Sequence, residues 1–217
     1  MQKHKEIHYN LILKNFIRVL TIILCIFYLI NNNLIHILGG ILFLITSLGI
    51  DLILKLIKIN LTDISDFILQ SFIFLGLFLG KMYNIYAVFP WWDLFLHFIS
   101  GILIGIVGVL ILNVLISKEI FENLSPIFKA LYAFISAATS ASLWEIFEFA
   151  GDRLFGFNSQ LNSLIDTMED ICICVLGGLI MSVMVYKFYK QGKFKFIGEV
   201  VESFSKINIK EEPNKFQ

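Results

Sequence analysis

The chain has 217 residues, 58% of them hydrophobic and only 16% charged, with a mean hydropathy of +0.82. Soluble domains carry about 25% charged residues, so this composition belongs to an integral membrane protein. A formal net charge of zero offers no basic surface to nucleic acid.

The start, MQKHKEIHYNLILKNFIRVLTIILCIFYLI, has the basic front and apolar stretch of a signal peptide. No small-residue cleavage site follows it, only Asn31, Asn32 and Asn33, so it reads as a retained first helix. A bilayer core of about 30 Å takes about 20 apolar residues per helix. On that measure six helices are expected, over about 14–30, 34–54, 67–89, 92–116, 126–150 and 167–189. The three asparagines turn the chain between the first two, and KLIKINLTDISD (55–66) is polar enough for a loop. Pro90 precedes the fourth helix, and Ser125–Pro126 supplies an N-cap followed by proline at the first helical position of the fifth. GDRLFGFNSQLNSLID (151–166) is the longest loop between helices. The fold expected is all-α, a polytopic transmembrane helix bundle over residues 1–189, with a cytoplasmic tail at 190–217 that has a weak helical pattern around 195–206.

Cys25, Cys172 and Cys174 all lie in apolar stretches, an odd set that makes no disulfide framework; they read as packing residues. Richness in Ile, Phe, Asn and Lys fits a bacterial chain, and the cell (cytoplasmic) membrane is the expected location. With both termini inside, fifteen of the seventeen Lys and Arg residues fall on the inner side, among them Lys3, Lys5, Lys14, Arg18, Lys210 and Lys215, while Lys81 and Arg153 fall outside.

That topology sends polar residues from three stretches to one membrane face. Asp93 and His97 stand four apart in the first turns of helix four; Glu145, Glu148 and Asp152 form one stripe at the end of helix five. Asp166, Glu169 and Asp170 open helix six. A charge near the bilayer centre costs about 2.5–3.5 kcal/mol and less near the interface, so these faces are expected to turn toward one another. Each residue alone has a plainer role: Asp93 as a helix-start acid, His97 as a packed histidine, the carboxylates as ion-pair glue, and the Trp91–Trp92 pair with Tyr83, Tyr86 and Trp144 as an interfacial aromatic belt. Asp51 and Lys55 read as a local pair on helix two. Together, up to six of these carboxylates with one imidazole form a set of hard oxygen ligands plus a nitrogen, suited to Mg, Mn, Zn or Fe, and equally to a proton relay.

The order W-D-L-F-L-H-F-x-S-G, W-E-I-F-E-F, F-G-F-N-S-Q and D-T-M-E-D with Gly177–Gly178 beyond it resembles the bacterial YjdF-like integral membrane family over about residues 67–189. More distantly it is similar to VanZ-like proteins of the cell envelope, although Glu148 stands where that pattern has Gln and Asp170 where it has Asn. Both resemblances imply that Asp93, His97, Glu145, Glu148, Asp166 and Asp170 are the positions that matter, with Gln160 a lesser one from the loop; neither brings a mechanism.

The leading expectation is an outward-facing acidic and histidine pocket that binds or modifies an envelope lipid with the help of a divalent metal. Glu145, Glu148, Asp166 and Asp170 would be ligands, and His97, oriented by Asp93, the general base or a further ligand. A proton-coupled transporter and a non-catalytic membrane accessory protein stand beside it. No Gly-rich phosphate loop, His-Glu-x-x-His or nucleophile elbow is present.

Overall fold

The computed structural model describes residues 9–83 and 85–209. Lys3, Lys5, Lys210 and Lys215, four of the residues behind the expected orientation, lie outside the described residues. Among the described residues all regular structure is helical, without strands. Six helical segments are long and apolar enough to cross a membrane: Leu11–Ile30, His36–Leu56, Asp63–Met82, Trp92–Leu115, Pro126–Phe155 and Leu164–Gln191. Helices meet every backbone donor and acceptor internally, which is what a hydrocarbon surrounding demands. Their outer faces carry exposed apolar side chains, such as Phe16, Ile23 and Leu29 on the first and Phe147 on the fifth, the pattern of a multi-pass membrane protein. The chain divides into two compact units, Met1–Trp92 and Asp93–Gln217.

In the first unit, α1 (Tyr9–Ile30) and α2 (Leu34–Leu56) are joined by the asparagine turn, where Asn32 takes a left-handed φ of 54°. Thr62 caps α3 (Asp63–Ile73), accepting a hydrogen bond from Ser65 N at 3.1 Å. The helix therefore starts earlier than the apolar pattern marks. It also does not run unbroken to residue 89: it widens into a π-helix over Phe74–Met82, ends at Tyr83, and is followed by a single turn, α4 (Ile85–Val88). The close packing there explains the break, because the Tyr86 ring lies against Gly80 and the backbone of Met82 against Gly39, where side chains would collide. Phe43, Ile73, Phe78 and Met82 form the core.

A buried polar network ties α1, α2 and α3 together. Lys14 Nζ lies 3.1 Å from Asp51 Oδ1 and 3.1 Å from Asp66 Oδ2. Arg18 donates to Asp51 Oδ2 at 2.8 Å, to the Ser47 carbonyl at 2.7 Å and to Ser47 Oγ at 2.9 Å, and Ser47 Oγ donates to Gln70 Oε1 at 2.9 Å. Asp51 thus pairs across helices with Lys14 and Arg18 rather than serving a local pair with Lys55. Two cations of α1 need two carboxylates inside the bundle, and Asp51 stands between them.

The second unit holds α5 (Trp92–Leu115), α6 (Lys118–Asn123), α7 (Pro126–Phe155), α8 (Leu164–Gln191) and α9 (Phe196–Asn208), α5 beginning at the last residue of the first unit. Ser125 caps α7 as its sequence indicates, accepting from Phe128 N at 3.3 Å. The helix continues through Gly151 to Phe155, because the residue that stops it is Gly156, left-handed at φ 71°. Ser163 caps α8, which starts at Leu164. Helices α5, α7 and α8 pack through small residues. Gly101 sits on the backbone of Cys174, Gly177 on the Phe98 carbonyl, and Gly178 on Ala137; Ala133 and Ala141 of α7 are also buried. Cys174 is buried and Cys172 exposed, on different sides of α8.

Helix α9 buries Ile197, Val201 and Phe204, Asn113 of α5 donates to Ser205 Oγ, and Gly198 lies against Phe188. The first half of the tail is therefore packed on this unit. On its exposed side Lys206 hydrogen-bonds Glu202 and holds that carboxyl below its usual range.

A Cβ at Gly177 would strike the Phe98 carbonyl, whereas one at Gly49 meets nothing within 4 Å. Gly177→Ala is expected to destabilise the protein by about 1–3 kcal/mol through overpacking and Gly49→Ala to leave it unchanged, read from thermal unfolding in detergent.

Candidate functional site

The face that α5 turns toward α8 is set by the glycine contacts. Gly101 meets Cys174 and Gly105 meets Met181, so the two helices run parallel. One turn earlier on each lie His97 and Asp170, and a further turn back Asp93 and Asp166. Both His97 and Asp170 are buried, at 8% and 3% exposure. His97 Nε2 stands 3.7 Å from Asp93 Oδ1 and 3.8 Å from Asp170 Oδ2. Among the described residues, these three are the group whose ligand atoms close to within 4.8 Å of one another. The separations are too long for direct hydrogen bonds. They approach the roughly 3–4 Å between neighbouring ligands of an ion whose bonds are about 2.0–2.2 Å. Ser100 Oγ donates to the His97 backbone carbonyl at 2.7 Å and lies 3.4 Å from Cys174 Sγ. Ser100 is the serine of the W-D-L-F-L-H-F-x-S-G stretch but was not among the expected site residues.

Glu145, Glu148 and Asp166 stand outside this trio, but with Asp93 they all lie close enough to act on Asp170 electrostatically, and Glu145 acts on His97. Glu145 is 4% exposed. Its Oε2 accepts from Gln160 Nε2 at 3.0 Å, and the same nitrogen donates to the Glu145 carbonyl at 3.1 Å. Its Oε1 is buried with no hydrogen-bond partner. Glu148 and Asp166 are half-buried, and Glu169 is exposed.

The loop of residues 156–163 is held against α7 by Asp152, which accepts from Ser159 N at 2.8 Å and Gln160 N at 3.0 Å. Asp152, one of the acidic stripe, is thus the anchor of the loop that delivers Gln160 to Glu145. Between the last turns of α7, this loop and the first turns of α8 lies a cavity of about 640 Å³, lined among others by Glu145, Phe149, Arg153, Gln160, Thr167 and Ile171. Arg153 lies over the Phe149 ring at 5.3 Å. Lys81, the other cation expected on this face, belongs to the first unit and sits over Tyr86 at 5.3 Å.

The chain belongs to the family described as predicted membrane protein (DUF2238), whose model matches residues 13–191. The match takes in α1 and α2, beyond the stretch that carries the motifs. A Thermotoga maritima protein, described as an uncharacterized protein, is 27% identical over 169 residues, covering 78% of this chain and 85% of that relative. No solved structure matches. The YjdF-like resemblance fits this family coarsely, and the VanZ-like resemblance finds no support in it.

Each hydrogen bond to the Asp152 carboxylate contributes about 1.5–3 kcal/mol where it is shielded from water. Asp152→Ala is expected to speed amide hydrogen exchange at Ser159 and Gln160 by about tenfold or more, with exchange in α5 and α8 unchanged.

Proposed function

We propose that this member of the DUF2238 family of predicted membrane proteins holds a divalent cation between Asp93, His97 and Asp170 and uses it on a lipid of the bacterial envelope. The observation that carries this reading is the meeting of one imidazole and two carboxylates, from helices more than seventy residues apart in sequence, at ligand spacing and largely shielded from water. Two of the three groups are buried, and three further acids bear on Asp170. Several carboxylates this close to one another need protons or positive charge among them, and a divalent cation meets that need without loss of their ligating oxygens. Oxygen ligands with one nitrogen suit Mg, Mn, Zn or Fe.

A cation held there supplies Lewis acidity or an activated water. Glu145 bears on His97 and also lines the cavity, so the pocket where a headgroup would enter has an acid shared with the cation site. Asp166 and Glu148 add negative charge around Asp170 that favours a divalent over a monovalent ion. The Lys and Arg distribution supports the inner placement of both termini in the cytoplasmic membrane, and with it an outward-facing site.

A proton-coupled transporter is the second reading. It is favoured by the first unit's own buried ionisable group, Lys14, Arg18, Asp51 and Asp66, near those ends of α1, α2 and α3 that this topology places inside. An accessory role, with the acids as packing glue, predicts instead that neutralising Asp170 costs folding.

Elemental mass spectrometry of protein purified in chelator-free detergent decides among them. Stoichiometric metal is expected in the wild type. His97→Ala and Asp170→Asn should bind it at least about tenfold more weakly, since even residues behind the ligands cost that much, while Asp66→Asn in the first unit retains it. A monodisperse wild type that takes up no Mg, Mn, Zn or Fe on titration would rule the metal site out.

A further inference from the structure

At the end away from Asp93, His97 and Asp170, the second unit finishes in a turn and a short helix that the candidate site does not use. Helix α8 is 28 residues long, about 42 Å at 1.5 Å per residue, which matches a bilayer with its headgroup layers, about 40–45 Å. Its last turn therefore stands at headgroup level. The chain leaves it through the left-handed Gly192, whose amide donates to the Phe188 carbonyl at 2.9 Å, while Lys193 N donates to the Lys187 carbonyl at 3.3 Å. Gly198 then lies against the Phe188 ring, so α9 begins beside the last turn of α8 and stays at that level.

One feature of this edge is apolar. Ile197, Val201 and Phe204 form the stripe of α9 that packs on the unit, and helical periodicity puts Glu199, Glu202 and Lys206 on the opposite side. Phe196, Val200 and Ile207 make a third stripe, within about 40° of one another and about a quarter turn from the buried one. Phe196 and Ile207 are each 43% exposed, so the apolar arc of α9 is wider than the face the protein covers. Phe194, just before the helix, is 40% exposed and held at a left-handed φ of 55°, a conformation that bulky residues rarely adopt.

The other feature is charge. From Ile171 to Gly198 the chain has no Asp or Glu, and Lys190, Lys193 and Lys195 are exposed. Elsewhere at this end Lys118 pairs with Glu122 and Lys206 with Glu202, and Lys129 is buried between the Phe121 and Tyr189 rings. Among the described residues that leaves Lys187, Lys190, Lys193 and Lys195 against Glu119 and Glu199. Lys190 Nζ donates to the uncharged Tyr186 hydroxyl at 2.6 Å, and no described carboxylate pairs with Lys193 or Lys195.

We infer that residues 190–207 form an interfacial anchor that binds anionic phospholipid at the end of α8, with the lysines of the turn on the headgroup charge and Phe194, Phe196 and Ile207 among the upper acyl carbons. Basic residues beside a membrane-spanning helix attract anionic lipid, and an apolar stripe next to them enters the boundary between headgroups and acyl chains. An acidic protein partner would also meet the lysines, but the exposed phenylalanines stand at the depth of lipid. Asn113 and Phe188 already fasten α9 to the unit at that depth. The anchor lies at the opposite end of α8 from Asp170 and depends on no group of the proposed cation site.

Native mass spectrometry of the full chain in detergent tests it, with titrations of phosphatidylglycerol, phosphatidylcholine and water-soluble glycerophosphoglycerol. Phosphatidylglycerol is expected to bind about tenfold or more tightly than phosphatidylcholine, since each basic residue near an anionic surface contributes about fivefold. Lys193→Gln combined with Lys195→Gln should remove most of that preference. Lys118→Gln combined with Lys206→Gln, exposed lysines at the same end that already have carboxylate partners, should leave it in place. Phe194→Ser combined with Phe196→Ser should weaken both lipids alike, by about tenfold, and keep their ratio. All six residues are exposed, so the fold is expected to survive each change. Equal binding of the two lipids by the wild type, or affinities indifferent to the phenylalanine changes, would overturn the inference. So would an equal loss from the Lys118 and Lys206 changes, which would reduce the effect to diffuse positive charge. Glycerophosphoglycerol bound as tightly as the whole lipid would overturn it in favour of a soluble phosphate ester.

Discussion

An ionisable side chain inside a membrane-spanning helix has to find its counter-charge within the protein, because hydrocarbon offers none. The two compact units meet that requirement differently. In the first, Lys14 and Arg18 face Asp51 and Asp66, two cations against two carboxylates, with Ser47 and Gln70 extending the hydrogen bonds inward. The group is electrically balanced, and its partners come from three helices, so it fixes how α1, α2 and α3 align. In the second unit Asp93, Glu145, Glu148 and Asp166 all lie close enough to act on Asp170, and the imidazole near them is that of His97.

The acids can gather because the helices carrying them approach at backbone distance. Gly101 on Cys174 and Gly177 on Phe98 bring α5 and α8 together with no side chain between them. Larger residues at those points would separate the helices and open the spacing between His97 and Asp170. Small residues in the middle of the bilayer thus determine geometry one turn away, where the polar residues lie. The same dependence links Asp152 to Glu145. By binding two loop amides, Asp152 brings Gln160 onto one oxygen of Glu145, while the other stays buried without a partner.

Much of this was legible in the sequence, for definite physical reasons. Hydrocarbon thickness sets a length of apolar chain, so six spans could be counted from composition alone. The i,i+4 spacing of Asp93 and His97 placed them on one face, and the cost of charge in lipid turned that face inward. Ser125 and Pro126 marked a helix start because their capping chemistry is local. The motifs matched a family at the level of an integral membrane protein. The π-helical stretch at Phe74–Met82 and the burial of α9 were not legible, since both follow from contacts with distant residues such as Gly39 and Asn113.

The partners of each charge were likewise beyond the sequence. Asp51 is four residues from Lys55, yet it serves Lys14 and Arg18; Glu145 and Asp170 look alike as helix acids, yet one turns to Gln160 and the other to His97. Periodicity fixes which side of its own helix a residue occupies, because that depends on 3.6 residues per turn and nothing else. Which residue it then meets depends on the rotation and depth of the neighbouring helix, and those are set by packing among small residues far away in the chain. The sequence by itself therefore determined the membrane-spanning class, the number of spans and the shared helix face of Asp93 and His97. Only the tertiary structure decided that Asp93, His97 and Asp170 form the close trio and that Glu145 lines the cavity beside them.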